Sequence, residues 1–342
     1  MKIFLWQMAA LATSGCALAS PKSTKQLSPQ TLYQLDVGSG MENIAVRSNG
    51  QILTTGLGPP VVFQSNPLSV KAPVELATFP GVTSLFGIAE IMPDVFAVGT
   101  GNLTSVPVPG SYSVWQMDLR SGDPILAKLV DIPEAGLLNG ITALPTQGKK
   151  KSSAYKANAT LLLSDTVGGV VYHLDPTTLN YTVVLSDETM RPPPTDGVPA
   201  GVNGIRFRDE DQSLYYTNIF RQLFCRIPLS LKTTATGQLK VSASGPAEII
   251  ASGFPGDDFA LASDGTAYIG ANPVNTVFKV AGDGTVTTFL GGLNETVVAG
   301  ATSVAFGRTR KDKNVLYITT NGGSNNPANG ILEGGKLVAV QL

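Results

Sequence analysis

The chain has 342 residues, of which 43% are hydrophobic and 14% are charged, and its formal net charge is -1. This composition is typical of a protein with a large folded core and excludes a disordered chain. Nucleic-acid binding needs a basic face that neutralises phosphates. The one basic run, three lysines at 149–151, lies in a polar, loop-like stretch. The sequence therefore argues against nucleic acid as a partner.

Residues 1–19 have the pattern of a secretory signal peptide. Lys2 supplies a positive start, residues 3–12 are mostly apolar, and an Ala-Leu-Ala tripeptide ending at Ala19 forms a small-x-small cleavage site. The apolar stretch is short for a transmembrane helix. We therefore expect a secreted protein, with no membrane association after cleavage and with residues 20–342 as a single domain.

Sequons and cysteines bear on the same compartment. In a secreted eukaryotic protein, Asn-X-Thr sequons are surface glycosylation acceptors. Here they begin at Asn102, Asn158, Asn180 and Asn294. Cys16 would leave with the signal peptide, so Cys225 has no intramolecular disulfide partner. Cys225 lies in an apolar, strand-like run, which favours a buried, inert thiol over a reactive one. Lipid modification of Cys16 is the alternative to cleavage after Ala19.

Strand patterns dominate the rest of the chain, and one unit recurs. Runs of Val, Ile, Leu, Tyr and Thr are separated by Gly, Pro, Asn and Asp, without a sustained helical period. Each unit has a polar or Gly-rich entry, a short apolar strand, a turn and a second apolar strand. In chain order the paired runs are 42–46 with 52–54, 86–90 with 95–98, 139–143 with 160–165, 203–207 with 214–218, 258–262 with 267–269, and 301–306 with 315–319.

These repeats predict an all-β fold, a six-bladed β-propeller with a central channel. The units start 43 to 64 residues apart, and repeats of about 40 to 50 residues with several strands each are typical of propellers. A run at 32–35 precedes the first unit and could pair with 336–340, which would close the ring and protect its edges. A large β-sandwich or a β-helix is the alternative fold.

The first residues of the units carry oxygen atoms. The innermost strand of each blade begins near the channel, so these residues would converge on one axis. They are Glu42, Asn139, Asn203, and Asp257 or Asp258. Ca²⁺ prefers such a set of oxygen ligands, whereas a single His and a single mature Cys leave little for Zn²⁺. The alternative is that the Asn-Gly and Asp-Asp pairs form turns.

The chain resembles the gluconolactonase/regucalcin family of six-bladed propellers, to which diisopropyl fluorophosphatase is related in fold. The resemblance spans about residues 42–317, and its most specific parts are 203–207 with 214–217 and 257–259 with 267–269. The family implies a calcium site of Glu, Asn and Asp ligands in the channel. Glu42, Asn139, Asn203 and Asp257 or Asp258 match that pattern in order. The choice between the two aspartates stays open.

The chain also departs from that family. The usual Glu-Gly-Pro opening is Glu42-Asn43-Ile44, and the Asp-Gly of the fifth unit is Asp-Asp-Phe. The signal peptide, the low charge and Asp-Asp-Phe more closely resemble the fungal secreted branch, which includes the hetero-Diels–Alderases of tropolonic sesquiterpenoid biosynthesis. That resemblance implies a secondary-metabolism enzyme acting on small molecules, with no organic cofactor. The reaction would be dehydration of a tropolone to a quinone methide and cycloaddition to a terpene alkene.

Two other functions remain open from the sequence. One is a Ca²⁺-dependent lactonase or related hydrolase, in which the cation polarises a carbonyl or phosphoryl oxygen. The other is a non-catalytic propeller that binds a ligand. No catalytic residue is assigned, because His173 lies in a predicted outer strand and no nucleophile-elbow motif accompanies it.

Overall fold

The structure is a computed structural model that describes residues 28–69, 71–145, 159–195 and 197–342. The predicted signal peptide at 1–19, the lysine run at 149–151 and the sequon at Asn158 lie outside these residues. Within them the chain forms 25 strands and one short 3-10 helix, Asn272–Val274. No helix in these ranges is long and apolar enough to cross a membrane. The predicted all-β class is confirmed.

The strands follow one another with short connections, and β1 (Gln30–Gln34) comes first. The next eight are β2 (Gly40–Val46), β3 (Ile52–Leu57), β4 (Val61–Ser65), β5 (Val74–Thr78), β6 (Ser84–Met92), β7 (Val95–Gly101), β8 (Ser113–Asp118) and β9 (Ile125–Asp131). Then come β10 (Leu138–Ala143), β11 (Leu161–Asp165), β12 (Val170–Leu174), β13 (Tyr181–Leu185), β14 (Val202–Arg208), β15 (Ser213–Asn218), β16 (Leu223–Thr233), β17 (Leu239–Ala243) and β18 (Glu248–Ser252). The last are β19 (Phe259–Leu261), β20 (Ala267–Ala271), β21 (Thr276–Val280), β22 (Val286–Gly291), β23 (Ala301–Phe306), β24 (Val315–Thr320) and β25 (Lys336–Gln341).

The strands form small antiparallel sheets in a propeller-like arrangement. Strands β10–β13, β14–β18 and β19–β22 make three sheets of consecutive strands. Strands β2–β9 make an eight-stranded sheet whose halves, β2–β5 and β6–β9, are joined by the pair Leu57 and Ser84. Strands β2, β6, β10, β14, β19 and β23 contact one another in chain order, and β23 contacts β2. We call these strands the inner ring.

The two ends of the chain share a sheet. Its strand order is β1-β25-β24-β23, and Tyr33 of β1 lies opposite Leu337 of β25. The predicted pairing of residues 32–35 with 336–340 is therefore confirmed. Because β1 covers the outer edge of β25, the sheet that contains the C-terminus is completed by the N-terminal strand.

Apolar side chains fill the spaces between neighbouring sheets. Phe86 of β6 packs in one cluster with Ile141 of β10 and Leu163 of β11. Cys225 of β16 is fully buried in another cluster, and burial raises the pKa of its thiol to about 12. The predicted inert character of Cys225 follows from this environment. His173 lies in β12, the third strand of its sheet, where it is buried.

Candidate functional site

The predicted ligands lie close together at one end of the inner ring. Glu42, Asn139 and Asn203 occupy the first half of β2, β10 and β14, and Asp257 lies two residues before β19. Each is buried, with 3 to 7% of its surface exposed. We call these four residues the polar cluster.

The two Asn-Gly pairs lie inside strands, where their glycines allow close packing, and they do not form turns. Gly140 and Gly204 lie inside β10 and β14. A Cβ atom on Gly204 would lie 2.5 Å from Asp258 Oδ1 and 2.6 Å from its Cα, and one on Gly140 would lie 2.6 Å from the carbonyl oxygen of Asn203. Neither contact is sterically possible, so glycine lets adjacent inner strands approach. The turn interpretation of these two pairs is wrong, and the preceding asparagines are held near the channel by regular strands.

Hydrogen bonds connect the cluster across distant parts of the chain. The Asn139 Nδ2 donates to Glu42 Oε1 at 3.2 Å, although the two residues are 97 positions apart. The Asn272 Nδ2 lies 3.5 Å from Asp257 Oδ2, and the Asn203 amide also lowers the pKa of Asp257 by hydrogen bonding. The fold thus brings together four groups that the sequence separates by up to about two-thirds of the chain.

Two oxygen atoms of the cluster have no partner among the described residues. Asn139 Oδ1 and Asn203 Oδ1 are buried and accept no hydrogen bond within the described part of the chain. An unsatisfied buried acceptor costs about 1–3 kcal/mol, and buried polar groups are rarely left in this state. Both oxygens belong to residues that the sequence analysis assigned to a cation. Their position and chemistry fit a ligand that offers positive charge or a hydrogen-bond donor.

The two carboxyl groups of the cluster resist simultaneous ionisation. Burial raises the pKa of Glu42 to about 7, the hydrogen bond from Asn139 acts in the opposite direction, and the charge of Asp258 raises it further. Burial, and then the charges of Glu42 and Asp258, raise the pKa of Asp257 well above its usual range. Close carboxylates in a buried site need a shared proton or a cation to balance them.

Asp258 has different surroundings from Asp257. Its Oδ2 accepts hydrogen bonds from Asn43 Nδ2 at 2.6 Å and from Arg206 Nη2 at 2.7 Å, and its Oδ1 accepts one from the backbone N–H of Phe259 at 2.8 Å. The charge of Asp258 is therefore already balanced by Arg206. The geometry places Asp257 in the polar cluster and Asp258 beside it, towards the other end of the inner ring. Cation binding by either residue remains a prediction.

Arg206 contacts the site but was not among the predicted site residues. It lies three positions after Asn203, and the residues three positions after Glu42, Asn139 and Asp257 are small: they are Ala45, Thr142 and Ala260. A comparison of the repeats could have identified Arg206, because it is the one long side chain among small ones at these matching positions. Asn43 and Asn272, which contact Asp258 and Asp257, carried no such signal.

A cavity of about 510 Å³ opens at the other end of the inner ring. We call it the funnel. Its wall is formed by the later residues of the inner strands, which are mostly aliphatic, and Arg206 lies between it and the polar cluster. The side chains at matching positions around it are Ala45, Ala89, Thr142, Arg206, Ala260 and Ala305. The fold therefore offers two distinct environments along one axis. One is polar and buried, and the other is open, with small apolar side chains on its wall and charged side chains at its rim.

Other predicted sites lie on the outside of the sheets. Asn180 and Asn294 are exposed, as glycosylation acceptors must be. Asn102 is partly buried, and its Oδ1 accepts a hydrogen bond from the Thr83 N–H at 3.1 Å. Throughout the described ranges, no group of three or more His, Cys, Asp or Glu side chains is arranged for a metal ion. The polar cluster instead combines two carboxyl groups with two amides.

The chain is similar in sequence to two fungal proteins. No protein-family model matches it. It is 27% identical over 317 residues to a protein of Phoma sp. named "Putative hetero-Diels-Alderase", and the match covers 87% of this chain and 88% of that protein. It is 28% identical over 310 residues to "Putative hetero-Diels-Alderase asR5" of Sarocladium schorii, with coverage of 82% and 75%.

Solved structures share the fold at much lower identity. Regucalcin from Agrobacterium tumefaciens, described as a calcium-binding protein, superposes with a TM-score of 0.62 at 14% identity over 92% of this chain and 95% of that one. A luciferin-regenerating enzyme superposes with a TM-score of 0.61 at 13% identity over 93% and 96%. At these identities the likeness concerns the fold alone. It confirms that the chain resembles regucalcin-like propeller proteins, and its sequence is similar to the two fungal proteins named for hetero-Diels–Alder chemistry.

Proposed function

We propose that this protein catalyses a hetero-Diels–Alder cycloaddition between a quinone methide derived from a tropolone and a terpene alkene. The observation that carries the proposal is the sequence similarity to two proteins named for this reaction class, which extends over 82 to 87% of the chain. A similarity of that length covers most of the sheets and is not confined to one motif.

The proposed reaction has two steps. A hydroxymethyl tropolone first loses water: the bond between the hydroxymethyl carbon and its oxygen breaks, and the proton of the ring hydroxyl leaves. The resulting quinone methide then reacts with the alkene, so that its exocyclic carbon forms one C–C bond and its ring oxygen forms one C–O bond. Neither step needs an oxidant, a reductant or an organic cofactor.

The protein would contribute orientation and hydrogen bonding. Holding two reactants in a near-attack pose can lower the barrier by about 7–11 kcal/mol in well-oriented systems. Donors aimed at the oxygen of the heterodiene stabilise the charge that develops there. The guanidinium of Arg206 lies on the channel axis and can donate to such an oxygen. The aliphatic wall of the funnel suits a hydrocarbon reactant.

We also propose that the polar cluster binds Ca²⁺. The two unpartnered amide oxygens support this, and the two carboxyl groups of raised pKa need a balancing charge. When bound, Ca²⁺ would supply a positive charge at the polar end of the channel, which Arg206 and Asp258 separate from the funnel. Glu42 and Asp257 would balance its charge, and Asn139 and Asn203 would hold it through neutral oxygens.

The proposal includes the six-bladed count and secretion. Six strands form the inner ring, and the eight-stranded sheet divides into two four-stranded halves at Leu57 and Ser84. Secretion is supported by residues 1–19 of the sequence and by the exposure of the sequons at Asn180 and Asn294. Expression in a fungal host should yield a secreted protein whose N-terminus is Ser20 and whose mass falls on deglycosylation. Retention in the cells of a protein that still carries residues 1–19 would contradict this part.

A competition assay tests the reaction. A hydroxymethyl tropolone and a cyclic terpene alkene are incubated with the protein, with heat-inactivated protein, and with buffer. We expect faster formation of the cycloadduct and one dominant stereoisomer with active protein. Identical rates and product ratios in all three samples would rule out the proposed reaction.

Hydrolysis of a lactone is the second candidate, and the polar cluster favours it. A cation held by Glu42 and Asp257 could polarise the carbonyl of a lactone for attack by water. A panel of lactones incubated with the Ca²⁺-loaded protein distinguishes the two. Turnover that EDTA abolishes and Ca²⁺ restores would favour hydrolysis, whereas turnover that survives EDTA would remove the polar cluster from that reaction.

A further inference from the structure

We infer that the funnel is a binding site for a small, largely apolar molecule with a neutral carbonyl oxygen, and that Arg206 is the residue that holds this oxygen. The inference rests on the proposed function, because it names the part of the channel in which the tropolone-derived reactant would lie. It assigns substrate binding to the end of the inner ring away from the polar cluster.

The first observation is the position of Arg206. At the matching positions of the other inner strands the side chains are small, which leaves space on the axis for one long side chain. Arg206 occupies that space, and its Nη2 reaches Asp258 Oδ2 at 2.7 Å. Asp258 in turn contacts Asn43, the neighbour of Glu42. Arg206 and Asp258 thus separate the funnel from the polar cluster.

The second observation is that Arg206 has N–H groups to spare. A guanidinium has five N–H donors, and here one binds Asp258 and one binds the carbonyl oxygen of Ile205 at 2.8 Å. The Arg206 side chain is 22% exposed and lines the funnel, so its remaining donors have access to a molecule there. Its Cζ also lies 5.8 Å from the centre of the Phe259 ring, which helps to fix its orientation.

The third observation is the charge balance, which decides the class of ligand. Asp258 is 1% exposed and offsets the charge of Arg206. The floor of the funnel therefore offers hydrogen-bond donors with little net positive charge. A carboxylate would lose its hydration without a balancing charge, whereas a neutral ketone oxygen needs only the donors. At the rim, Arg308 already binds Glu90, and Arg208 lies 3.2 Å from Asp211.

The wall selects for an apolar body on the same molecule. The alanines at matching positions of the inner strands, Ala45, Ala89, Ala260 and Ala305, line the funnel. The residues that precede them, such as Ile44 and Ile141, pack their side chains into the clusters between the sheets and support this wall from behind. A volume of about 510 Å³ is within the range of small-molecule pockets, about 300–1,000 Å³. The combination of an aliphatic wall and donors at the floor matches a cyclic ketone.

Binding of tropone tests this site without any catalytic reaction. Tropone is a neutral seven-membered cyclic ketone, and benzoate is an anion of similar size. We would measure both by saturation-transfer NMR and titration on the full secreted protein. We expect saturable tropone binding, with benzoate binding at least about tenfold more weakly. EDTA should leave tropone binding unchanged, because the polar cluster lies beyond Arg206. Tighter binding of benzoate, or loss of tropone binding in EDTA, would overturn the inference.

Two variants locate the binding. Ala89→Phe should abolish tropone binding by filling the funnel, whereas Ala127→Phe, which adds the same ring on the exposed face of β9, should change tropone binding less than about twofold.

Arg206→Met should weaken tropone binding by about tenfold, the effect of about 1.4 kcal/mol from one lost hydrogen bond. Arg226→Met, which breaks an exposed pair with Glu248, is its control. Near-UV circular dichroism checks folding, and Ala89→Phe decides the result if Arg206→Met does not fold.

The outcomes separate this inference from the proposed function. Tropone binding that persists in Ala89→Phe overturns the assignment of the funnel, even if the protein accelerates cycloaddition. Tropone binding that Ala89→Phe abolishes supports the funnel, even if no cycloaddition is accelerated, and the proposed reaction alone then fails.

Discussion

Replacing Asn203 with Leu tests whether the polar cluster exists to bind a cation. Asn203 is 5% exposed, and its Oδ1 has no hydrogen-bond partner in the described ranges. Leu has the same number of side-chain heavy atoms and the same branching as Asn. The change removes an unsatisfied acceptor, which would relieve about 1–3 kcal/mol of desolvation cost. It also removes the amide that lowers the pKa of Asp257, and leaving that buried carboxyl without a donor costs about 1–3 kcal/mol. Because the two effects are similar in size, we expect the free energy of unfolding of Asn203→Leu in EDTA to be close to that of the wild type.

In Ca²⁺ the wild type should become the more stable of the two proteins. A ligand at 100 times its Kd stabilises the folded state by about 2.7 kcal/mol, so the melting temperature of the wild type should rise by several degrees. Asn203→Leu should show little or no rise, because a hydrocarbon side chain cannot replace the amide oxygen as a ligand. Differential scanning calorimetry in EDTA and in Ca²⁺ measures both quantities.

Asn218→Leu is the matched control. Asn218 is also a buried asparagine, but its amide donates to the carbonyl oxygens of Thr189 and Arg191 and its Oδ1 accepts from the Arg221 N–H. Its replacement should lower the melting temperature in both buffers and leave the Ca²⁺-induced rise intact. A Ca²⁺-induced rise of wild-type size in Asn203→Leu would refute the role of Asn203 in cation binding. So would a loss of stability in EDTA that matches Asn218→Leu.

Three further predictions concern buried residues outside the polar cluster. Gly204→Ala should lower the melting temperature by many degrees or prevent secretion, because its Cβ would lie 2.5 Å from Asp258 Oδ1; a stable variant with wild-type melting would contradict the close packing of β14. Burial lowers the pKa of His173 below 6.5, against the opposing charge of Asp175, so the unfolded chain takes up the proton first. Stability should therefore fall as the pH drops below about 6.5, and His173→Gln should reduce that loss in urea unfolding at pH 7.5 and 5.5; an equal loss in both proteins would contradict it. The thiol of Cys225, with a pKa of about 12, should react with a disulfide reagent only after denaturation, and rapid labelling of the native protein at pH 8 would show that it is accessible.

Most of the fold could be predicted from the pattern of apolar runs and turn residues in the sequence. Unit entries such as Asn203-Gly204 followed by an apolar run placed the first strands of the sheets, and the pairing of 203–207 with 214–218 is present as β14 and β15. Alternation of apolar and polar residues and the presence of turn residues are local properties, so they can be recognised in a single sequence. The pairing of the chain ends was also predictable, because an unpaired edge strand at each terminus would be unfavourable.

The sequence predicted that Glu42, Asn139, Asn203 and Asp257 or Asp258 lie near one another, and the structure brings them together, but their contacts could not be predicted. The different surroundings of Asp257 and Asp258 depend on which carboxylate Arg206 reaches, and that is decided by the side chains that adjacent strands bring to the axis. The division of the channel into polar cluster and funnel depends on the same ion pair. Asn272 lies in a 3-10 helix that the sequence analysis did not identify, and it contacts Asp257 only through tertiary folding.

The sheet that joins β1 to β25 has a consequence for how this protein must be made. In this sheet Thr31 of β1 pairs with Val338 of β25, and nearly the whole described chain separates these two residues. Contacts between such distant residues form slowly, because the entropy of closing a long loop must be overcome first. During synthesis β25 emerges from the ribosome after all the other described strands, so until then β1 lacks its partner strand and β24 has one open edge. This sheet therefore stays incomplete until β25 has been made, which makes its late folding dependent on protection from aggregation. Deletion of β25 should consequently be as damaging as deletion of β1.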